Sequence, residues 1–166
     1  MASKKHYVIV SVTLGCIAMA SAILIGATNL LTADRIAKNK DKKITDGITE
    51  IFGEIDIPKS INLKGYDYVT KYYDLNENRY AFITEGSNMY GKVSLVIGFE
   101  EIEFKKLAII TNDQTYASTL EENYISSINA DSTKMDDVDC GATYGATLVR
   151  NMINDAKKAA EDLLGK

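Results

Sequence analysis

Residues 7–31 carry no charge, and charge returns only at Asp34 and Arg35. A helix needs about 20 apolar residues to cross a hydrocarbon core, so this stretch predicts a transmembrane helix. The apolar run continues through Ile25, past an Ala18-Met19-Ala20 that resembles a cleavage site. A cleaved signal core of about 7–15 residues stops sooner, so a retained single-pass anchor in the cell membrane is expected, with the bilayer as partner. Cys16 is not a lipidation site on this reading, because Thr13 stands three before it and apolar sequence follows. Ser11, Thr13, Gly15, Ser21 and Gly26 are the small residues that let helices pack closely within a bilayer.

Beyond the anchor, Ile36, Ile44, Ile48 and Ile51 recur among charges and predict a helical stalk that Gly53 and Pro58 end. The pattern then changes to runs rich in Tyr, Val, Ile and Phe, which predict strands at 66–73, 79–85, 92–99 and 101–111. Turns are expected at Asn76-Glu77-Asn78, Gly86-Ser87-Asn88 and Glu100, and such short connections favour an antiparallel meander. Residues 116–127 fit a short helix or ordered loop, and 129–139 an acidic loop. Leu148, Val149, Met152, Ile153, Ala156, Ala160, Leu163 and Leu164 then form one stripe of a final amphipathic helix. The expected class is α+β: an N-terminal transmembrane helix and stalk, then an antiparallel sheet packed with a C-terminal helix. Residues 1–31 make the tail and span, 32–58 the stalk, and 59–166 the soluble domain.

Charge and composition narrow the function. Beyond residue 31, 17 Lys and Arg stand against 23 Asp and Glu, so nucleic acid is not an expected partner. The one histidine, His6, lies in the N-terminal tail, which removes Ser-His and Cys-His catalysis from the soluble part. Cys16 and Cys140 lie too far apart in context to pair, and no zinc pattern exists. Asp131, Asp136, Asp137 and Asp139 lack the glycine and terminal Glu of a calcium loop. No metal site and no catalytic residue are expected. Counted by Lys and Arg, the residues after the span would hold the domain in the cytoplasm, although this domain exceeds the loops to which that rule best applies.

The candidate chemistry lies in DVDCGATYGAT, residues 137–147. Thr143 stands where the last helix should begin, beside backbone N–H groups that lack intrahelical partners and favour a phosphate. Gly141, Ala142, Gly145 and Ala146 leave room around its hydroxyl. The alternative is that Thr143 is only a helix cap. Of the tyrosines, Tyr66, Tyr68, Tyr72, Tyr73 and Tyr80 fit strand patterns, whereas Tyr90, Tyr116 and Tyr144 flank glycines or turns and are placed to stack on a planar ligand.

With LLTADRIAKNKDKKITDGITEIFG after the span, MYGKVSLVIGF within the sheet and DVDCGATYGAT before the last helix, the chain resembles the FMN-binding subunits of Rnf-type ion-translocating electron-transport complexes. It is also similar to the FMN-binding subunits of the sodium-pumping NADH:quinone oxidoreductase. The resemblance implies that a flavin transferase, using FAD and magnesium, joins FMN through its phosphate to the threonine of a D-x-x-[ST]-G-A-T motif. Asp137 then matches the acid, Gly141 and Ala142 the small pair, and Thr143 the acceptor, with Tyr144 beside it. Cys140 stands where the family has Ser or Thr, and Gln114-Thr115-Tyr116-Ala117-Ser118 replaces the Thr-Pro-Gly-Leu-Gly of the pumping subunits. Thr147 ends a second Gly-Ala-Thr, but there Tyr144 stands at the Ser/Thr position and Gly141 at that of the acid, a poorer match.

The implied function is a membrane-anchored electron carrier with covalent FMN, working among integral-membrane redox subunits, its soluble domain extracytoplasmic. As an electron-transfer subunit it is not a complete enzyme alone. An FMN carrier without ion pumping and a flavin-free membrane-tethered binding module are the alternatives. No GxGxxG or Walker loop is present, as a covalently held nucleotide permits.

Overall fold

The computed structural model describes residues 4–165, so the start of the expected N-terminal tail lies outside the described residues. Helix α1, Lys4–Phe52, is continuous over 49 residues. Its N-terminal part has a mean hydropathy of 2.5 and is long and apolar enough to cross a membrane. The hydroxyls of Thr13, Thr28 and Thr32 donate to the carbonyls of Ile9, Leu24 and Thr28 at 2.9, 2.8 and 2.8 Å. Each polar side chain is thereby satisfied inside its own helix, the condition for threonine in hydrocarbon.

The chain divides into two compact units, Met1–Asp41 and Lys42–Lys166. In the second, the last turns of α1 lie in the core. Ile44, Ile48 and Ile51 are buried with Ala81, Ile83, Val96, Ala108 and Ile110. Gly47 permits the approach, since a Cβ there would lie 3.0 Å from Val96 Cγ2 and 3.2 Å from Ala108 Cβ. Lys43 Nζ donates to the Ile110 carbonyl at 2.9 Å, and Lys106 pairs with Glu50 at 2.9 Å. The helix ends at Phe52, where the Gly53 N–H returns to the Thr49 carbonyl at 2.8 Å.

Five antiparallel strands follow in sheet order β1 to β5: β1, Ile61–Asn62; β2, Val69–Asp74; β3, Arg79–Asn88; β4, Gly91–Glu100; β5, Glu103–Asn112. The expected α+β class and meander hold, and β1 is an addition that its two-residue length hides from any pattern. β3 and β4 are buried on both faces because helices cover each side. Tyr80, Phe82, Leu95, Ile97 and Phe99 face one core, and Ala81, Ile83 and Val96 the other.

Two expected turns move. Gly86-Ser87-Asn88 is strand, paired with Val93, Lys92 and Gly91, so the hairpin turns at Met89-Tyr90. Gly86 is small because the final helix crosses it: a Cβ would lie 2.9 Å from Leu148 Cδ1 and 3.2 Å from Met152 Sδ. Glycine in a strand marks such close approach as often as a turn. The last hairpin likewise turns one residue later than expected, at Glu101-Ile102, with Glu100 paired to Glu103.

After β5 the chain is helical through α2, Ala117–Thr119, a π-helical turn, Leu120–Ile125, and α3, Ser126–Ala130. The wide turn brings Leu120, Tyr124, Ile125 and Ile128 together into the core. A 3₁₀ turn, Ser132–Asp136, leads to α4, Thr143–Leu164, whose stripe of Leu148, Val149, Met152, Ile153, Ala156, Ala159 and Ala160 is buried against the sheet. Asp155 fixes that packing, its Oδ2 accepting from the N–H groups of Tyr68 at 2.7 Å and Val69 at 3.1 Å.

Candidate functional site

The start of α4, the tip of the β3–β4 hairpin and the loop after β5 meet around a cavity of about 260 Å³. Its lining includes Tyr90, Gln114, Tyr116, Leu120 and the run 141–145. The expected trio of tyrosines is assembled here. Tyr90 and Tyr144 have ring centroids 5.4 Å apart, and Tyr90 and Tyr116 are 6.1 Å apart. Tyr116 and Tyr144 stay 54% and 63% exposed, so ring faces remain free.

Thr143 is the first residue of α4, and the N-cap is Ala142, which supplies no side-chain hydrogen bond. The cap alternative for Thr143 therefore fails. Its hydroxyl lies one position inside the helix, exposed, with no hydrogen-bond partner among the described residues. By position, the N–H groups of the first turn lack intrahelical acceptors, and the helix dipole adds positive potential beside that oxygen. The first turn closes with Ala146 N–H on the Ala142 carbonyl at 2.9 Å. Gly141 has φ +83°, a left-handed conformation that admits glycine and lets the chain turn sharply into the helix. Gly145 is small for packing: a Cβ there would lie 3.1 Å from Leu120 Cδ2 and 3.4 Å from Gln114 Oε1.

Asn88 organises the rest. Its Nδ2 donates to the Tyr144 carbonyl at 3.1 Å, and its Oδ1 accepts from the Tyr90 N–H at 2.8 Å and from Gln114 Nε2 at 3.1 Å. Gln114 Nε2 also donates to the Gly91 carbonyl at 2.6 Å. One side chain thus joins hairpin tip, loop and helix start. Thr115 adds its N–H to the Tyr90 carbonyl at 2.8 Å.

Asp137 and Cys140 lie elsewhere. They line a separate hollow with Asn123, Ser127, Lys134 and Asp139. Asn123 Nδ2 donates to the Cys140 carbonyl at 3.0 Å, tying the motif to the π-helical turn. Both cysteines are free, and no cluster of metal-binding side chains occurs among the described residues. Thr147, one turn inside α4, is half-buried and does not line the cavity. Sequence patterning places Asn88 only in an expected turn, Leu120 only at helical spacing with Tyr124, Ile125 and Ile128, and Gln114 only in a divergent loop. None of these signals reports which distant elements each residue contacts.

Residues 1–51 match the family model of the RnfG N-terminal region. Over that stretch the chain resembles RnfG, and the match supports an Rnf-type electron-transport subunit. The cavity lies beyond the matched residues. No curated protein matches the chain.

Proposed function

We propose that this chain is a membrane-anchored flavoprotein that relays electrons within an Rnf-like membrane oxidoreductase, with FMN joined through its phosphate to Thr143. The observation that carries this is the Thr143 hydroxyl, exposed and unpartnered on the rim of an aromatic cavity at a helix N-terminus. The residues fit the group. A phosphodiester keeps one negative charge, which the start of α4 favours by roughly 0.3–1 kcal/mol. Ligand pockets span about 300–1,000 Å³, so a cavity of about 260 Å³ takes part of a nucleotide and leaves the remainder to the covalent bond.

Attachment joins the Thr143 oxygen to the FMN phosphorus of FAD; the pyrophosphate bond breaks, and AMP leaves while the hydroxyl gives up its proton. The bound flavin supplies the redox chemistry, and the chain supplies tether, orientation and a shielding wall. Asp137 and Cys140, outside the cavity, are assigned to recognition by the transferase rather than to the ring. Anchored once through residues 7–31, the carrier works beside integral-membrane partners, its soluble domain on the extracytoplasmic side.

The test is production with the transferase, followed by a denaturing gel and peptide mass analysis. Flavin fluorescence on the band and an FMN-sized mass on the Thr143 peptide are expected; Thr143→Ala removes both and Thr147→Ala removes neither. A colourless wild-type band would leave the flavin-free binding module in possession. Labelling of an introduced surface cysteine in intact cells reports the side of the membrane.

A further inference from the structure

We infer that Gln114 reads the edge of the flavin ring, its Oε1 accepting a hydrogen bond from the ring imide N–H, while Tyr116 and Tyr144 offer the ring its stacking faces. This rests on the flavin proposal and adds where the ring docks and which atom is recognised.

The orientation of Gln114 is settled by its neighbours. Its Nε2 faces two acceptors, the Gly91 carbonyl at 2.6 Å and Asn88 Oδ1 at 3.1 Å. Asn88 cannot be turned over either, because its Oδ1 also accepts from the Tyr90 N–H and its Nδ2 donates to the Tyr144 carbonyl. Both Gln114 amide protons are therefore engaged, and only the carbonyl oxygen remains. Gln114 is 7% exposed, yet its Oε1 accepts no hydrogen bond among the described residues. The oxygen is not among the side-chain atoms buried without a partner, which are Thr84 Oγ1 and Ser94 Oγ among the described residues, so it stays open to a donor from outside the chain. Here it belongs to a cavity-lining residue, 3.4 Å from the point a Gly145 Cβ would occupy. The cavity lining includes no charged side chain, which suits a neutral ring.

The chemistry of the ring selects the contact. Oxidised isoalloxazine carries one ring N–H, the imide at N3 between two carbonyls. An acceptor with no donor to offer pairs with that N–H and with no other heteroatom of the oxidised ring. Methylation at N3 replaces the donor by a methyl group and leaves the stacking faces intact.

Riboflavin and 3-methylriboflavin are the probes, titrated by fluorescence quenching into the full-length Thr143→Ala chain in detergent, which removes covalent attachment. Riboflavin is expected to bind, and 3-methylriboflavin at least tenfold more weakly. Gln114→Leu should bind the two alike. Tyr116→Leu, whose side chain makes no hydrogen bond among the described residues, should weaken both several-fold while keeping the preference, which separates stacking from the edge contact. Equal binding of the two probes by Thr143→Ala, absence of riboflavin binding, or a preference that survives Gln114→Leu each overturns the inference. A wild-type band without flavin after production with the transferase would instead sink covalent attachment, and the titration would still decide the ring subsite.

Discussion

Replacing Asn88 by Ala removes three side-chain hydrogen bonds at once: to the Tyr144 carbonyl at 3.1 Å, from the Tyr90 N–H at 2.8 Å and from Gln114 Nε2 at 3.1 Å. Each is worth about 0.5–1.5 kcal/mol net. The bond to Tyr144 is exposed and water replaces part of it, whereas the other two are partly buried. A loss of about 2–3 kcal/mol is therefore expected. With a urea slope of about 1–3 kcal/mol per M, that lowers the unfolding midpoint by roughly 1–2 M. Asn88→Asp separates the terms. It keeps the acceptor for Tyr90 and Gln114, now as a carboxylate, and loses only the donor to Tyr144, so its cost should stay near 1 kcal/mol. The assay is urea unfolding of the full-length chain in detergent, followed by near-ultraviolet circular dichroism of its tyrosines. An Asn88→Ala midpoint within about 0.3 M of wild type, or Asp as damaging as Ala, would refute Asn88 as the joint of this site.

Further outcomes follow from other contacts. Gly91→Ala places a Cβ against the Asp113 carbonyl at φ +137° and should cost more than about 3 kcal/mol; Gly26→Ala, with open space around it, should leave circular dichroism and expression unchanged. Asp155→Ala strips the acceptor from the Tyr68 and Val69 N–H groups, so a loss of about 2 kcal/mol should accompany faster amide exchange at those two residues. Burial pushes the Tyr124 hydroxyl up to about 12, and it donates to the Met135 carbonyl at 2.6 Å. The unfolded chain ionises its tyrosines near pH 10, so this contribution is complete below about pH 10 and disappears as pH rises towards 12. Tyr66, held up to about 12 chiefly by its hydrogen bond to Asp162, acts in the same direction. Unfolding midpoints from pH 9 to 11 should fall for wild type and more shallowly for Tyr124→Phe.

How far the chain can be understood without its fold differs by element. Hydrophobic patterning is sufficient for the long apolar helix, which is uncharged over residues 7–31, and for β2 to β5 and α4, which bury a face and repeat the signal along it. The stalk is legible as a helix but not as core. Ile44, Ile48 and Ile51 recur at helical spacing whether that face meets solvent or a sheet, and only the tertiary structure shows them covered by Ile83, Val96 and Ile110. Gly86 misleads for a related reason: glycine marks a turn and a close approach alike, and the crossing of Leu148 and Met152 decides for approach.

At the site the sequence by itself singles out Thr143, the small residues around it and the three tyrosines, because motif and helix start lie within one short segment. It does not determine that Tyr90, Tyr116 and Tyr144 share one wall, that Ala142 rather than Thr143 caps α4, or that Asp137 and Cys140 face another hollow. Those are relations between a hairpin tip, a loop and a helix start separated by as many as 56 residues. Asn88 and Gln114 hold these parts together through hydrogen bonds that carry no periodic trace, so their partners exist only once the chain has folded.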